Sequence, residues 1–85
     1  MHKIKLSQIP ANVEVLDSIE GKHRGSLGVE NIQGWLLQDK EQRLYIKIYR
    51  EYKGTTTRYG YAGVAESLKK AWENNIKPHV IPEKG

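Results

Sequence analysis

Eighty-five residues with a hydrophobic content of 38% suffice for one small domain, residues 1 to 85, with a single thin core. The absence of cysteine excludes disulfides and thiolate metal sites and fits a reducing compartment. No apolar run exceeds four residues, and "MHKIKLSQIP" at the N-terminus has no apolar core after its cations. Neither a membrane span nor a secretory signal is therefore expected, and the expected location is cytoplasmic.

The net charge is +4, unevenly spread. Residues 43 to 70 hold seven cations against Glu51 and Glu66, a local +5, while the rest of the chain is near neutral. A basic half on a near-neutral body points to a polyanionic partner, nucleic acid first and an acidic protein second.

In chain order, residues 3 to 6 read as a short strand stopped by "SQIPAN", where Pro10 and Asn12 favour a turn. Residues 13 to 19, with Val13, Val15, Leu16 and Ile19, read as a strand. "EGKHRGSLG", residues 20 to 28, has three glycines with Lys22, His23 and Arg24 between them, and reads as a loop. Residues 29 to 39 read as a strand bulged or bent at Gly34. A polar turn over residues 39 to 42 leads into the clearest strand, residues 43 to 52. "KGTT" is the next turn, with Gly54 supplying a positive φ, and residues 56 to 61 form another strand rich in threonine and tyrosine. The period then changes: Val64, Leu68, Ala71, Trp72 and Ile76 recur on one helix face. That predicts a helix over residues 62 to 74, stopped by the adjacent asparagines and barred from continuing by Pro78. Residues 79 to 82 fit a short edge strand, and the last few residues a frayed tail.

The expected fold class is α+β, a three- to four-stranded antiparallel sheet with one C-terminal amphipathic helix packed on one face and the other face free. An edge strand at either end offers a route to a dimer, though nothing in the sequence requires one.

Strand alternation divides residues 43 to 52. Leu44, Ile46 and Ile48 share the core face; Arg43, Tyr45, Lys47 and Tyr49 share the other. Tyr59 and Tyr61 are expected to lean towards the helix and Trp72, leaving Arg58 outside; Trp35 fits either face. Arg43, Tyr45, Lys47, Tyr49 and Arg58 thus make an outward surface of cations and rings. Cations neutralise phosphates, and rings stack on bases or support arginine planes. Ordinary cross-strand tyrosine pairs are the competing explanation. Lys22 and Arg24, in the glycine-rich loop, are candidate accessory phosphate contacts, although the spacing of a P-loop is missing.

Chemistry finds little footing. His2, His23 and His79 are scattered without metal-ligand spacing, and no pair of carboxylates is singled out for acid–base work. No enzyme, metal or cofactor is expected.

"GWLLQDKEQRLYIKIYREYKGTTTRYGYAGVAESLKKAWENN", residues 34 to 75, resembles the sheet-plus-helix DNA-binding domains of plant ethylene-response factors and of phage integrase arm-binding domains. Trp35, the run from Leu44 to Tyr49, the pair Gly60 and Tyr61, and the apolar helix positions to Trp72 occupy the corresponding places. The resemblance implies that Arg43, Tyr45, Lys47, Tyr49 and Arg58 enter a DNA groove, and an origin in a phage or mobile element. "VEVLDSIEGKHRGSLGV" looks like the strand–loop–strand of KOW-type small barrels. The expectation is a nucleic-acid-binding protein, DNA before RNA. The alternative is a protein-interaction module, such as a phage-encoded inhibitor docking on an acidic protein surface.

Overall fold

The computed structural model describes residues 1–26 and 28–82; the expected frayed tail lies partly outside the described residues. Six strands are formed among them: β1 (His2–Ile4), β2 (Glu14–Gly25), β3 (Gly28–Gln38), β4 (Leu44–Tyr52), β5 (Thr55–Ala62) and β6 (Ile81–Pro82). They make one antiparallel sheet in the order β1-β5-β4-β3-β2-β6. One α-helix, α1 (Ala65–Ala71), follows β5. The α+β class and the C-terminal helix are as expected, but the sheet is larger than three to four strands.

The sheet is extended at its edges by β1 and β6, and residues 20 to 25 are strand and not loop. β2 and β3 pair continuously from Glu14 opposite Gln38 to Gly25 opposite Gly28. The glycines that suggest a loop have another purpose. A Cβ on Gly21 would stand 2.0 Å from the Ile81 carbonyl oxygen, so only glycine lets β6 close against this edge. Gly34 likewise makes no bulge; it pairs regularly with Ile19 and Ile48. A Cβ there would press on Ile19 Cγ1 at 3.1 Å and Ile48 Cδ1 at 3.2 Å. The irregularity lies in β2, where the register shifts between Val15 and Asp17. One extra residue flips the side-chain alternation, so Val15 faces away from the helix and Asp17 faces it.

Ile32, Leu36, Leu44, Ile46 and Ile48 meet Leu68, Trp72 and Val80 in the core, with Ile19, Tyr59, Tyr61 and Ile76 half-buried around them. Full burial of each aliphatic side chain is worth ~1.5–3 kcal/mol, which fixes the register of β4. Tyr59 and Tyr61 face the helix side, as alternation predicts. The helical run starts later and ends later than its periodicity suggests. Val64 is an exposed cap residue and not part of the buried stripe. Beyond Ala71 the chain continues through a π-turn (Trp72–Ile76) and a 3-10 turn (Lys77–His79), so the asparagines do not stop it. Pro78 sits in the first turn of the 3-10 segment, where no N–H is needed. Among the described residues no helix is long and apolar enough to cross a membrane.

The other sheet face is not entirely free. β1 pairs with the end of β5, and the chain then passes through a 3-10 turn (Leu6–Gln8) on that face. Ile4 and Ile9 close on Gly60, where a Cβ would lie 3.3 Å from Ile4 Cγ1 and 3.0 Å from Ile9 Cδ1. One end of the outer face is therefore closed, the other open.

Candidate nucleic-acid interface

The outer face is built in rows across the sheet. Trp35 lies opposite Lys47, and Tyr49 lies between Gln33 and Arg58. The next row sets Lys22, Asn31, Glu51 and Thr56 side by side. Directly opposed side chains on antiparallel strands are within contact reach, and here they interlock. The rings of Trp35 and Tyr49 meet edge to face, centroids 5.1 Å apart. Lys47 Nζ stands 5.1 Å from the centroid of each ring, and the Arg58 guanidinium carbon 5.0 Å from that of Tyr49. Such cation–ring contacts contribute about 0.5–1 kcal/mol each at exposed sites. Their larger consequence is geometric, since they hold two long cationic side chains against the two rings. Trp35, Lys47 and Tyr49 are half-buried, while Arg58 is exposed.

Two carboxylates share this face. Gln33 Nε2 donates to Glu20 Oε2 at 3.0 Å, and Asn31 Nδ2 donates to Glu51 Oε1 at 3.1 Å. The surface is thus cationic at Lys22, Arg24, Lys47 and Arg58, and anionic at Glu20 and Glu51.

Of the residues expected in the interface, Lys47, Tyr49 and Arg58 come together. Tyr45 does not join them. It is on the outer side of β4 but only 9% exposed, at the closed end, opposite Ala62, whose other neighbour is His2. Its hydroxyl lies 3.2 Å from Asp39 Oδ2. Arg43 precedes β4 and belongs to the turn, where Asp39 Oδ1 accepts its backbone N–H at 2.9 Å and its guanidinium pairs with Glu41. Lys22 and Arg24 stand on β2, opposite Asn31 and Val29, with the surrounding backbone committed to the hairpin. They extend the outer rows; they do not crown a loop of free N–H groups.

Arg50 illustrates the reverse case. It counts towards the basic half of the sequence, yet it lies on the helix side, where Nε donates to Glu30 Oε2 at 2.6 Å and Nη1 to the Tyr59 hydroxyl at 3.3 Å. Its charge is matched by Glu30. Nearby, His23 and His79 are brought into edge-to-face contact with centroids 6.4 Å apart, despite their distance in sequence. They border a cavity of about 190 Å³ that also touches Arg50 and Tyr59. Among the described residues no group of three or more histidine or carboxylate side chains is placed to hold a metal.

Sequence reasoning missed Gln33, Asn31, Glu20 and Glu51 as members of the face and left Trp35 open to either side. The alternation of β4 carries the signal and reaches Glu51 directly, but it reaches Gln33, Asn31 and Glu20 only once the register with β3 and β2 is known.

No protein-family model matches the chain, and comparisons with curated proteins and with solved structures give no match.

Proposed function

We propose that this protein binds nucleic acid, DNA in the first place, through the open end of its outer sheet face. The observation that carries the reading is the placement of Lys47 and Arg58 over the rings of Trp35 and Tyr49. Cations there neutralise phosphates and release counterions, while the rings and the guanidinium plane offer stacking surfaces. Lys22 and Arg24 continue the positive charge along β2.

The test is direct titration of fluorescently labelled single- and double-stranded DNA and RNA at low and moderate salt. Binding at low salt that weakens linearly in log–log form as salt rises is expected. Lys47→Ala and Arg58→Ala each flatten that slope by about 0.7–0.9 for every phosphate no longer neutralised. Absence of binding to all four nucleic acids at low salt overturns the reading and leaves the surface to an acidic protein partner.

A further inference from the structure

The outer face is hollowed where it is not purely basic. A depression of about 410 Å³ opens there, lined by Glu20, Asn31, Gln33, Tyr49, Glu51 and Arg58 among others. Carboxylates repel phosphates, so Glu20 and Glu51 are a handicap to a surface that meets only a phosphate backbone. They are an asset to one that meets hydrogen-bond donors. Each is bonded to a carboxamide on the neighbouring strand, Glu20 to Gln33 and Glu51 to Asn31. A carboxylate accepts at both oxygens, and a carboxamide both donates and accepts, so each pair presents acceptor and donor side by side.

We infer that this depression takes the Watson–Crick edge of an unpaired base, guanine before the others, with the Glu51–Asn31 pair as its reader; this rests on the nucleic-acid reading above. Guanine sets two adjacent donors, N1–H and the N2 amino group, beside the O6 acceptor. That is the complement of a carboxylate next to a carboxamide. Adenine and cytosine offer one exocyclic amino group beside a ring-nitrogen acceptor. Thymine would turn carbonyl oxygens towards the carboxylate. In a duplex these edges are already paired, so the ligand is a single strand, as is usual where base edges are read on a sheet. Glu51 is the nearer of the two carboxylates to Tyr49 and Arg58. It shares a strand face with Tyr49 two residues away, and its cross-strand partner Thr56 is two residues from Arg58. Glu20 is separated from Tyr49 by β3.

The experiment measures binding of a labelled oligothymidine and of the same strand carrying isolated guanines, isolated inosines, or the guanines paired in a duplex. A good bidentate base contact discriminates by about 1–3 kcal/mol, or roughly 5- to 150-fold. The guanine strand is therefore expected to bind the wild type at least about fivefold more tightly than oligothymidine, with the inosine strand, which lacks the N2 amino group, between them. Glu51→Gln abolishes that preference while leaving oligothymidine affinity equal or higher, because a negative charge is removed. Glu20→Gln raises affinity for both strands alike and keeps the preference. Equal wild-type affinity for thymine and guanine strands overturns the inference, as does a preference that survives Glu51→Gln, or duplex binding as tight as the guanine strand. In each of those cases the wild type still binds nucleic acid. Failure of every strand to bind marks instead the failure of the underlying reading, and the inference falls with it.

Discussion

The two faces of the sheet carry different covers. On the helix side the cover is fastened at its centre: Leu68 and Trp72 have no exposed surface, and the Trp72 indole N–H donates to Asp17 Oδ2 at 2.9 Å. On the outer side the cover is the N-terminal segment, which crosses one end and stops. Tyr45 and Tyr49 show the result, being four residues apart on the same face of β4. The first is nearly buried; the second stands in an open array of rings and cations. Alternation along a strand decides the side to which a residue points. Whether that side is wet depends on where a distant piece of chain crosses it.

The severest way to break the contrast is to loosen the fastened cover. Trp72→Ala should cost ~3–5 kcal/mol through the burial it forfeits and the cavity it leaves. It would also strand the Asp17 carboxylate without its indole donor. Against the 5–15 kcal/mol typical of native domains, that shift is readily seen in the urea midpoint. A variant within about 1 kcal/mol of wild type would show that the helix is not the main clamp. The next test separates the two ends of the outer face. Tyr45→Ala should cost ~2–4 kcal/mol, because it removes a buried ring together with the hydroxyl that reaches Asp39. Tyr49→Ala should cost less, about 1–2 kcal/mol for the cation contacts its ring loses, yet weaken single-strand binding by ~1–3 kcal/mol if bases stack there. Equal unfolding costs for the two tyrosines would mean that the N-terminal segment does not close its end.

The same contrast explains what could be read from the sequence. The strands rich in β-branched and aromatic residues, β4 and β5, were legible with their faces, because Leu44, Ile46 and Ile48 alternate cleanly with Tyr45, Lys47 and Tyr49. The buried helix positions Leu68, Ala71 and Trp72 were legible from their spacing. The β2–β3 hairpin was not, because glycines that make room for β6 at Gly21 and for Ile19 and Ile48 at Gly34 look like loop and bulge glycines in sequence. The interface was half legible. Lys47, Tyr49 and Arg58 follow from alternation, whereas alternation alone does not show that Tyr45 is only 9% exposed. The internal pairing of Arg50 with Glu30 is hidden for the same reason, and a local count of cations includes an arginine whose charge is already matched.

The smallest effect tests how the helix-side cover is pinned. The Trp72 indole N–H, and then the Lys77 ammonium at 2.9 Å, hold the Asp17 carboxyl below its ordinary value of 3.8. Hydrogen bonding to Asp17 correspondingly raises Lys77 above its ordinary 10.5. A carboxylate whose pKa is lower in the folded state stabilises the fold fully above its unfolded value, and that contribution disappears as pH falls through the lowered one. The Asp17 share is therefore present at neutral pH and fades below about pH 4. Lys77 behaves oppositely, its share lasting up to its ordinary value and fading as pH rises through the raised one. Because the Asp17 side chain is 33% exposed, its share is at most about 1 kcal/mol after solvent screening. Asp17→Asn can keep one oxygen as acceptor for the indole, but it removes the charge and puts an NH2 group where the other oxygen accepts from the Ser18 N–H. Its urea midpoint should lie below wild type at pH 7, and the gap should narrow as the pH drops below 4. A constant gap between the curves across that range would assign the Asp17 contribution to shape and hydrogen bonding alone, with no share for its charge.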